Sequence, residues 1–184
     1  MSFSNDLSKF LKNKGVNEFG FAKLDNDYAI SFYIAIPSDI VKKFSTGVSL
    51  EILKEIDNKL NQITLEVVEF LESNNYKAEI SDNDLIATKA GLGWIGKSGF
   101  LITKKYGSAI RLKSILTDAS LEYTQPIINS SCGSMCRFCS SSCDKINGIM
   151  WNDNLAISNL KECDDFCGKC IFICPHTQRY LKKG

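Results

Sequence analysis

Eight cysteines lie between positions 132 and 174 of a 184-residue chain whose first 131 residues contain none. They form two runs of one spacing, Cys132, Cys136, Cys139 and Cys143, then Cys163, Cys167, Cys170 and Cys174, with Pro175 following the second. A cubane iron–sulfur cluster needs four thiolates around one small cage. Closely spaced cysteines on a tight loop supply three of them, and in two-cluster ferredoxin modules the last cysteine of each run crosses to the other cage. The pattern therefore predicts two [4Fe–4S] clusters, one on Cys132, Cys136, Cys139 and Cys174, the other on Cys163, Cys167, Cys170 and Cys143. Metal binding would contribute folding free energy to a segment with few apolar anchors.

Three other chemistries share parts of this pattern. Zinc takes four cysteines as two pairs well separated in sequence, whereas here four fall close together, twice. A disulfide framework needs an oxidising compartment, of which the sequence gives no sign. The stretch Cys132 to Cys139 is similar to a radical-SAM signature, but each run carries a fourth cysteine and too little chain follows to build a barrel.

A second motif, Gly91-Leu92-Gly93-Trp94-Ile95-Gly96-Lys97-Ser98, satisfies both G-x-G-x-x-G and G-x-x-x-x-G-K-[ST]. A phosphate-cradling loop must follow a strand and open a helix. The order here reads as helix before and strand after, because Phe100-Leu101-Ile102-Thr103 favours a strand. Two readings remain: the glycines permit a tight turn around a core Trp94, or Gly91, Gly93 and Gly96 let the backbone approach a bulky cofactor, with Trp94 as a wall and Lys97 as a polar handle.

Positioning these groups requires a folded scaffold, and the hydrophobic pattern predicts one of mixed helix and sheet. Leu7, Phe10 and Leu11 share a helical face that ends at Gly15. Glu18 to Leu24 and Tyr28 to Ile36 read as strands, the second buried on both faces. From Ser49 to Ser73, Leu53, Ile56, Leu60, Ile63, Val67 and Leu71 recur at helical spacing. Tyr76 to Ile80 suits a strand, and Asp82 a cap on a short helix reaching Ala90. Phe100 to Thr103 and Ala109 to Leu116 suggest a hairpin closed by Lys104 to Gly107. Composition shifts at Pro126 and Asn129-Ser130-Ser131, placing a domain boundary near 128.

The whole-chain numbers limit partners. Apolar residues are 44% and charged residues 23%, as in globular domains. With 22 Lys+Arg against 21 Asp+Glu the net charge is +1, which offers no field to hold a polyanion and argues against nucleic acid. No window suits a membrane span and no leader is evident, so a cytoplasmic location is expected. The one histidine, His176, reads as a solvent-facing helix residue.

Lys89 to Thr103 with Tyr106-Gly107, Arg111-Leu112 and Leu116-Thr117-Asp118, followed by the cysteine runs ending Cys170-Ile171-Phe172-Ile173-Cys174-Pro175, resembles the epoxyqueuosine reductase family and its shorter iron–sulfur relatives. The resemblance covers residues 76 to 180 well and the first 75 only in general pattern. It implies an α/β (α+β) architecture: residues 1–128 as a nitroreductase-like, sheet-and-helix cofactor domain akin to the cobalamin-binding reductive dehalogenase fold, and residues 129–184 as a ferredoxin-type domain with two [4Fe–4S] clusters. It further implies cobalamin as a cofactor, bound near Gly91, Gly93, Trp94, Gly96 and Lys97, and an aspartate as general acid, which no motif here places; Asp82 and Asp84 are the nearest acids and read as helix-capping residues. Full-length members act on tRNA through further C-terminal helical repeats. The chain departs from the family in having Asp144, not proline, after Cys143, and one extra residue in the first gap of each run.

Two functions follow. One is an oxidoreductase passing electrons through the clusters to a cofactor or small-molecule substrate at a domain interface. The other is a ferredoxin-like carrier that docks a partner enzyme. Both require an electron donor or acceptor protein, and the sequence assigns no catalytic residue.

Overall fold

The computed structural model describes residues 2–46, 50–123, 132–143, 149–152, 155–158 and 167–183. Cys163, Asp144 and the stretch from Pro126 to Ser131 lie outside them. In chain order the elements are α1 (Phe3–Asn13), β1 (Glu18–Lys23), β2 (Tyr28–Ala35), α2 (Ser38–Lys43), α3 (Lys54–Ser73), β3 (Ala78–Ser81), α4 (Leu85–Lys89), β4 (Trp94–Ile95), β5 (Leu101–Ile102), β6 (Ile110–Thr117), α5 (Phe138–Ser141), β7 (Ile149–Asn152), β8 (Leu155–Ser158), α6 (Lys169–Ile173) and α7 (Pro175–Leu181). Single 3₁₀ turns occupy Phe44–Thr46 and Leu50–Leu53. Helix and sheet are thus mixed, as the hydrophobic pattern predicts.

The chain divides into two compact units: Met1–Ile34, Glu55–Gly93 and Arg111–Ile128 in one, and Ala35–Lys54, Trp94–Ile110 and Asn129–Gly184 in the other. Segments 35–54 and 94–110 cluster with the cysteine-bearing end, so the glycine-rich motif is split after Gly93.

The first unit is built on a four-stranded sheet of order β1-β2-β6-β3. β1 and β2 pair antiparallel with Phe21 opposite Ile30, and β3 and β6 antiparallel with Ile80 opposite Ile115. Six consecutive residues of β2 are buried, as its unbroken apolar run requires. Both hydroxyl side chains among them are satisfied: Ser31 meets Ser114 of β6 hydroxyl to hydroxyl at 2.8 Å, and Tyr33 donates to Glu18 Oε2. Leu7 and Leu11 of α1 and Leu60, Ile63, Val67 and Leu71 of α3 close one core with Phe21, Ile30, Phe32 and Ile115. Each such side chain contributes roughly 1.5–3 kcal/mol on burial.

The local structure departs from the sequence pattern in two places. The hairpin joining Phe100–Thr103 to Ala109–Leu116 does not form: β5 pairs with β4, β6 pairs inside the large sheet, and the intervening turn closes on itself through one bridge, Thr103 to Gly107. β6, whose Ile110, Ser114, Ile115 and Thr117 are buried, gains more between two sheet neighbours than beside a two-residue strand. Asp82 does not cap α4; the Leu85 N–H donates to Asn83 Oδ1 at 3.0 Å, while Asp82 pairs with Lys113 at 2.9 Å.

In the second unit, the Ile36 N–H donates to the Ala109 carbonyl at 2.9 Å, and Tyr180 Oη of α7 donates to the Ile36 carbonyl at 3.1 Å. Strands β7 and β8 pair antiparallel between the cysteine runs, an insertion the cysteine spacing does not announce.

Candidate metal centre

The glycine-rich motif forms the β4–β5 hairpin. The Gly96 N–H donates to the Phe100 carbonyl and the Gly99 N–H to the Gly96 carbonyl, both at 2.9 Å. A Cβ at Gly96 would run into the Ile102 side chain, so this glycine serves close packing. Helix α4 comes before the motif and a strand after it, the reverse of a phosphate-binding loop, which removes the nucleotide readings. Gly91 has φ 76° and is half-buried, Gly93 is buried, and Trp94 is 6% exposed. The Trp94 indole N–H is buried without a hydrogen-bond partner among the described residues, an arrangement costly unless an acceptor reaches it. Its ring meets His176 edge to face, centroids 5.1 Å apart. His176 is therefore half-buried rather than solvent-facing.

Lys97 extends from this hairpin to the first cysteine run. Its Nζ donates to the carbonyls of Gly133 at 2.7 Å, Ser134 at 2.8 Å and Cys136 at 3.2 Å. The same segment is a tight turn in which the Cys136 N–H donates to the Gly133 carbonyl at 3.0 Å, and α5 then carries Cys139.

Cys174 sits between α6 and α7 in an extended conformation, with Pro175 at the first position of α7, where a missing N–H costs nothing. The N–H groups of His176 and Thr177 and the Ser108 hydroxyl bond its sulfur. Ser108 and Thr177 also bond each other at 3.2 Å, and Gly107, at φ 61°, has room for no side chain beside the Thr177 backbone. Ser108 and Thr177 are functional candidates that spacing could not reveal, because no motif marks a hydroxyl brought in from another loop.

Cys132, Cys136, Cys139 and Cys174 line one cavity of about 210 Å³, with Lys97 and Arg179 also on its wall. Burial pushes the Cys139 thiol up to about 11, helped by the neighbouring Cys136 and Cys132 and opposed by a backbone hydrogen bond from Ser140. Burial also raises Cys174, against the hydrogen bonds it accepts. Thiolates in this setting need a metal cation beside them. None of the seven described cysteines is in a disulfide. Among the described residues no three His, Cys, Asp or Glu are placed to hold a single metal ion. A cubane takes one thiolate per iron, so its ligands ring a space instead of meeting at a point. The volume lies below the roughly 300–1,000 Å³ of pockets for organic ligands and suits a compact inorganic group. Lys97 and Arg179 put positive charge on the cavity wall, which would suit an anionic group. The donor set therefore fits an iron–sulfur cluster better than zinc. Of the second predicted set, Cys143, Cys167 and Cys170 are half-buried and Cys163 lies outside the described residues.

In the first unit, Arg111 is committed to Asp57, Nε to Oδ1 at 2.6 Å and Nη2 to Oδ2 at 3.1 Å, which leaves it no fork for a ligand carboxylate or phosphate. Asp82 is 87% exposed, whereas burial raises the Asp84 carboxyl above the usual range, with Asp82 adding to the rise and Arg111 opposing it.

No protein-family model matches the chain. Tetrachloroethene reductive dehalogenase of Desulfitobacterium hafniense is 26% identical over 156 residues, covering 75% of this chain and 28% of that protein. Epoxyqueuosine reductase of Aliivibrio fischeri is 35% identical over 103 residues, 54% of this chain and 27% of that protein. The chain thus spans little more than a quarter of these relatives. In fold it is similar to an epoxyqueuosine reductase solved with an epoxyqueuosine-modified tRNA stem loop, with TM-score 0.68, 17% identity and coverage of 95% of this chain and 65% of that one. It is also similar to a reductive dehalogenase described as suggesting a mechanism for B12-dependent dehalogenation, with TM-score 0.70, 14% identity and coverage of 96% and 33%. These comparisons support the family to which the motifs pointed and the fold expected from it. One expectation is corrected: an epoxyqueuosine reductase of similar fold is solved with a tRNA stem loop, so nucleic acid is not an unlikely partner for this fold. No helix among the described residues is long and apolar enough to cross a membrane.

Proposed function

We propose that this chain is an iron–sulfur reductase of the epoxyqueuosine reductase-like type. A ferredoxin-type segment, residues 129–184, holds two [4Fe–4S] clusters and serves an α/β segment, residues 1–128. Cys132, Cys136, Cys139 and Cys174 hold one cage; Cys163, Cys167, Cys170 and Cys143 hold the other. The observation that carries this reading is the single cavity lined by three thiols of the first run and the last thiol of the second, the crossed pattern of a two-cluster module.

Such clusters move one electron at a time, so a two-electron reduction draws two electrons from a donor protein and takes its protons from acidic groups. The hydrogen bonds onto the Cys174 sulfur and the cations Lys97 and Arg179 favour the reduced, more negative cage. Of the two acids near the motif, Asp84 has the raised pKa that a proton donor requires. Cobalamin is the candidate second cofactor, with Gly91, Gly93, Trp94, Gly96 and Lys97 near it. The buried Trp94 N–H is suited to a cofactor acceptor, while Lys97 is engaged by the cysteine loop. The named relatives are reductases, which favours an enzyme over a stand-alone carrier. A cytoplasmic location, a small-molecule or tRNA-borne substrate and an electron-donating protein complete the proposal.

Anaerobic reconstitution with iron and sulfide, with and without hydroxocobalamin, tests it. The expected product carries two cubanes per chain and a corrinoid spectrum that changes when the clusters are reduced. Clusters without any corrinoid binding would return the protein to the carrier reading, and zinc alone would overturn both.

A further inference from the structure

We infer that Lys97 is a positioning residue for the first cluster: its ammonium organises the Cys132–Cys136 loop before metal arrives and biases that cage toward its reduced state. The inference rests on the iron–sulfur reading above and adds to it a residue outside both cysteine runs.

An ammonium has three N–H donors. Lys97 directs donors to three carbonyls of one loop, those of Gly133, Ser134 and Cys136, at 2.7, 2.8 and 3.2 Å. Gly133 and Ser134 are exposed, and a Cβ at Gly133 would meet nothing within 4 Å among the described residues, so this cation and the turn's own Cys136-to-Gly133 bond are the restraints on that part of the loop that the geometry shows. Because a trans peptide points its N–H opposite to its C=O, gathering these carbonyls on one side turns the N–H groups of Ser134, Met135 and Arg137 away from Lys97 together. The loop's dipoles are thus aligned as a set. The lysine itself is anchored in the β4–β5 hairpin, two-stranded and closed by the Gly96 and Gly99 hydrogen bonds, so it is held independently of the cluster. Lys97 also lines the cavity with the four thiols. A fixed positive charge there stabilises the form of the cage carrying one more electron.

Two neutral replacements separate the parts of this role. Lys97→Met removes donors and charge; Lys97→Gln keeps two donors and removes the charge. In the unloaded, reduced chain, alkylation mapped by mass spectrometry should show Cys132 and Cys136 of Lys97→Met reacting several-fold faster than wild type, with Cys167 and Cys170 unchanged as internal controls. After anaerobic reconstitution, Lys97→Gln should retain both clusters, but redox titration followed by EPR should find one of the two midpoint potentials shifted negative. Lys97→Arg should restore it. Unchanged alkylation in Lys97→Met together with unchanged potentials in Lys97→Gln would overturn the inference. So would equal shifts in both clusters, or a shift in Lys97→Arg as large as in Lys97→Gln. If Lys97→Met does not fold, the Gln and Arg potentials decide alone. A wild-type chain that takes up no iron would instead defeat the iron–sulfur reading itself.

Discussion

The indole of Trp94 meets the imidazole of His176 edge to face, ring centroids 5.1 Å apart. This contact ties the glycine-rich hairpin to the helix that begins just after Cys174. The backbone N–H of His176 is one of the donors to that cysteine's sulfur, so the ring contact bears on the ligand's environment. An aromatic pair of this geometry contributes about 0.5–1.5 kcal/mol beyond its buried area. His176→Ala should lower the unfolding midpoint of the anaerobically loaded chain by about 2–4 °C per kcal/mol lost, and His176→Phe should recover most of the loss. Equal midpoints for all three proteins, measured by calorimetry, would show that the contact carries no stability.

Gly107 is the tighter constraint on the same helix. At φ 61° an L side chain is strained by about 1–2 kcal/mol, and a Cβ would collide with the Thr177 backbone. Gly107→Ala is expected to cost more than about 3 kcal/mol and to reduce iron loading, because Ser108 and Thr177 would no longer frame Cys174. Circular dichroism melts and iron analysis check this. A variant that melts with wild type and loads fully would mean that α7 yields without consequence.

Asp84 gives a pH-dependent test. Burial raises its carboxyl pKa above the ordinary aspartate value of about 3.9. The folded state therefore binds the proton more tightly than the unfolded state, and the associated stability is present below about pH 4 and lost as pH rises through the raised native value. Above that value the ionised carboxylate is a cost, and its side chain makes no capping bond that Asn would forfeit. Asp84→Asn should be more stable than wild type at pH 7, the difference closing as pH falls below about 4. If Asp84 is the proton donor, the same variant should lose reductase turnover with both clusters intact. Denaturant melts at pH 7 and pH 4 decide the first part; a variant less stable than wild type at pH 7 would contradict it.

Much of the scaffold is legible in the sequence because periodicity reports burial directly. The run Tyr28 to Ile36 and the three- and four-residue steps from Leu60 to Leu71 match β2 and the buried face of α3. The hairpin expected at Lys104 to Gly107 fails for the opposite reason. The local turn chemistry there is real, but the partners of β6 lie far away in sequence, in β2 and β3, where no local signal records them. At the site, the spacing and the crossing of two-cluster modules predict Cys132, Cys136, Cys139 and Cys174 as one set, and these four line one cavity. The role of Lys97 is not legible: its type suits a cofactor handle, and only the fold brings Gly133, Ser134 and Cys136 to it. Asp84 is partly buried where Asp82 is exposed and paired with Lys113, a difference that two nearby acids in a polar stretch cannot display.

In the proposed module, three cysteines of the first run share a cage with the last cysteine of the second. Iron and acid-labile sulfide analysis with Mössbauer spectra, on anaerobically prepared wild type and Cys174→Ser, tests it most directly. Cubanes hold four irons each, so wild type should contain about eight irons and Cys174→Ser about four, with the surviving cluster spectroscopically unchanged. Zinc in place of iron, disulfides among these cysteines, or a Cys174→Ser protein that keeps its full iron content would contradict the account.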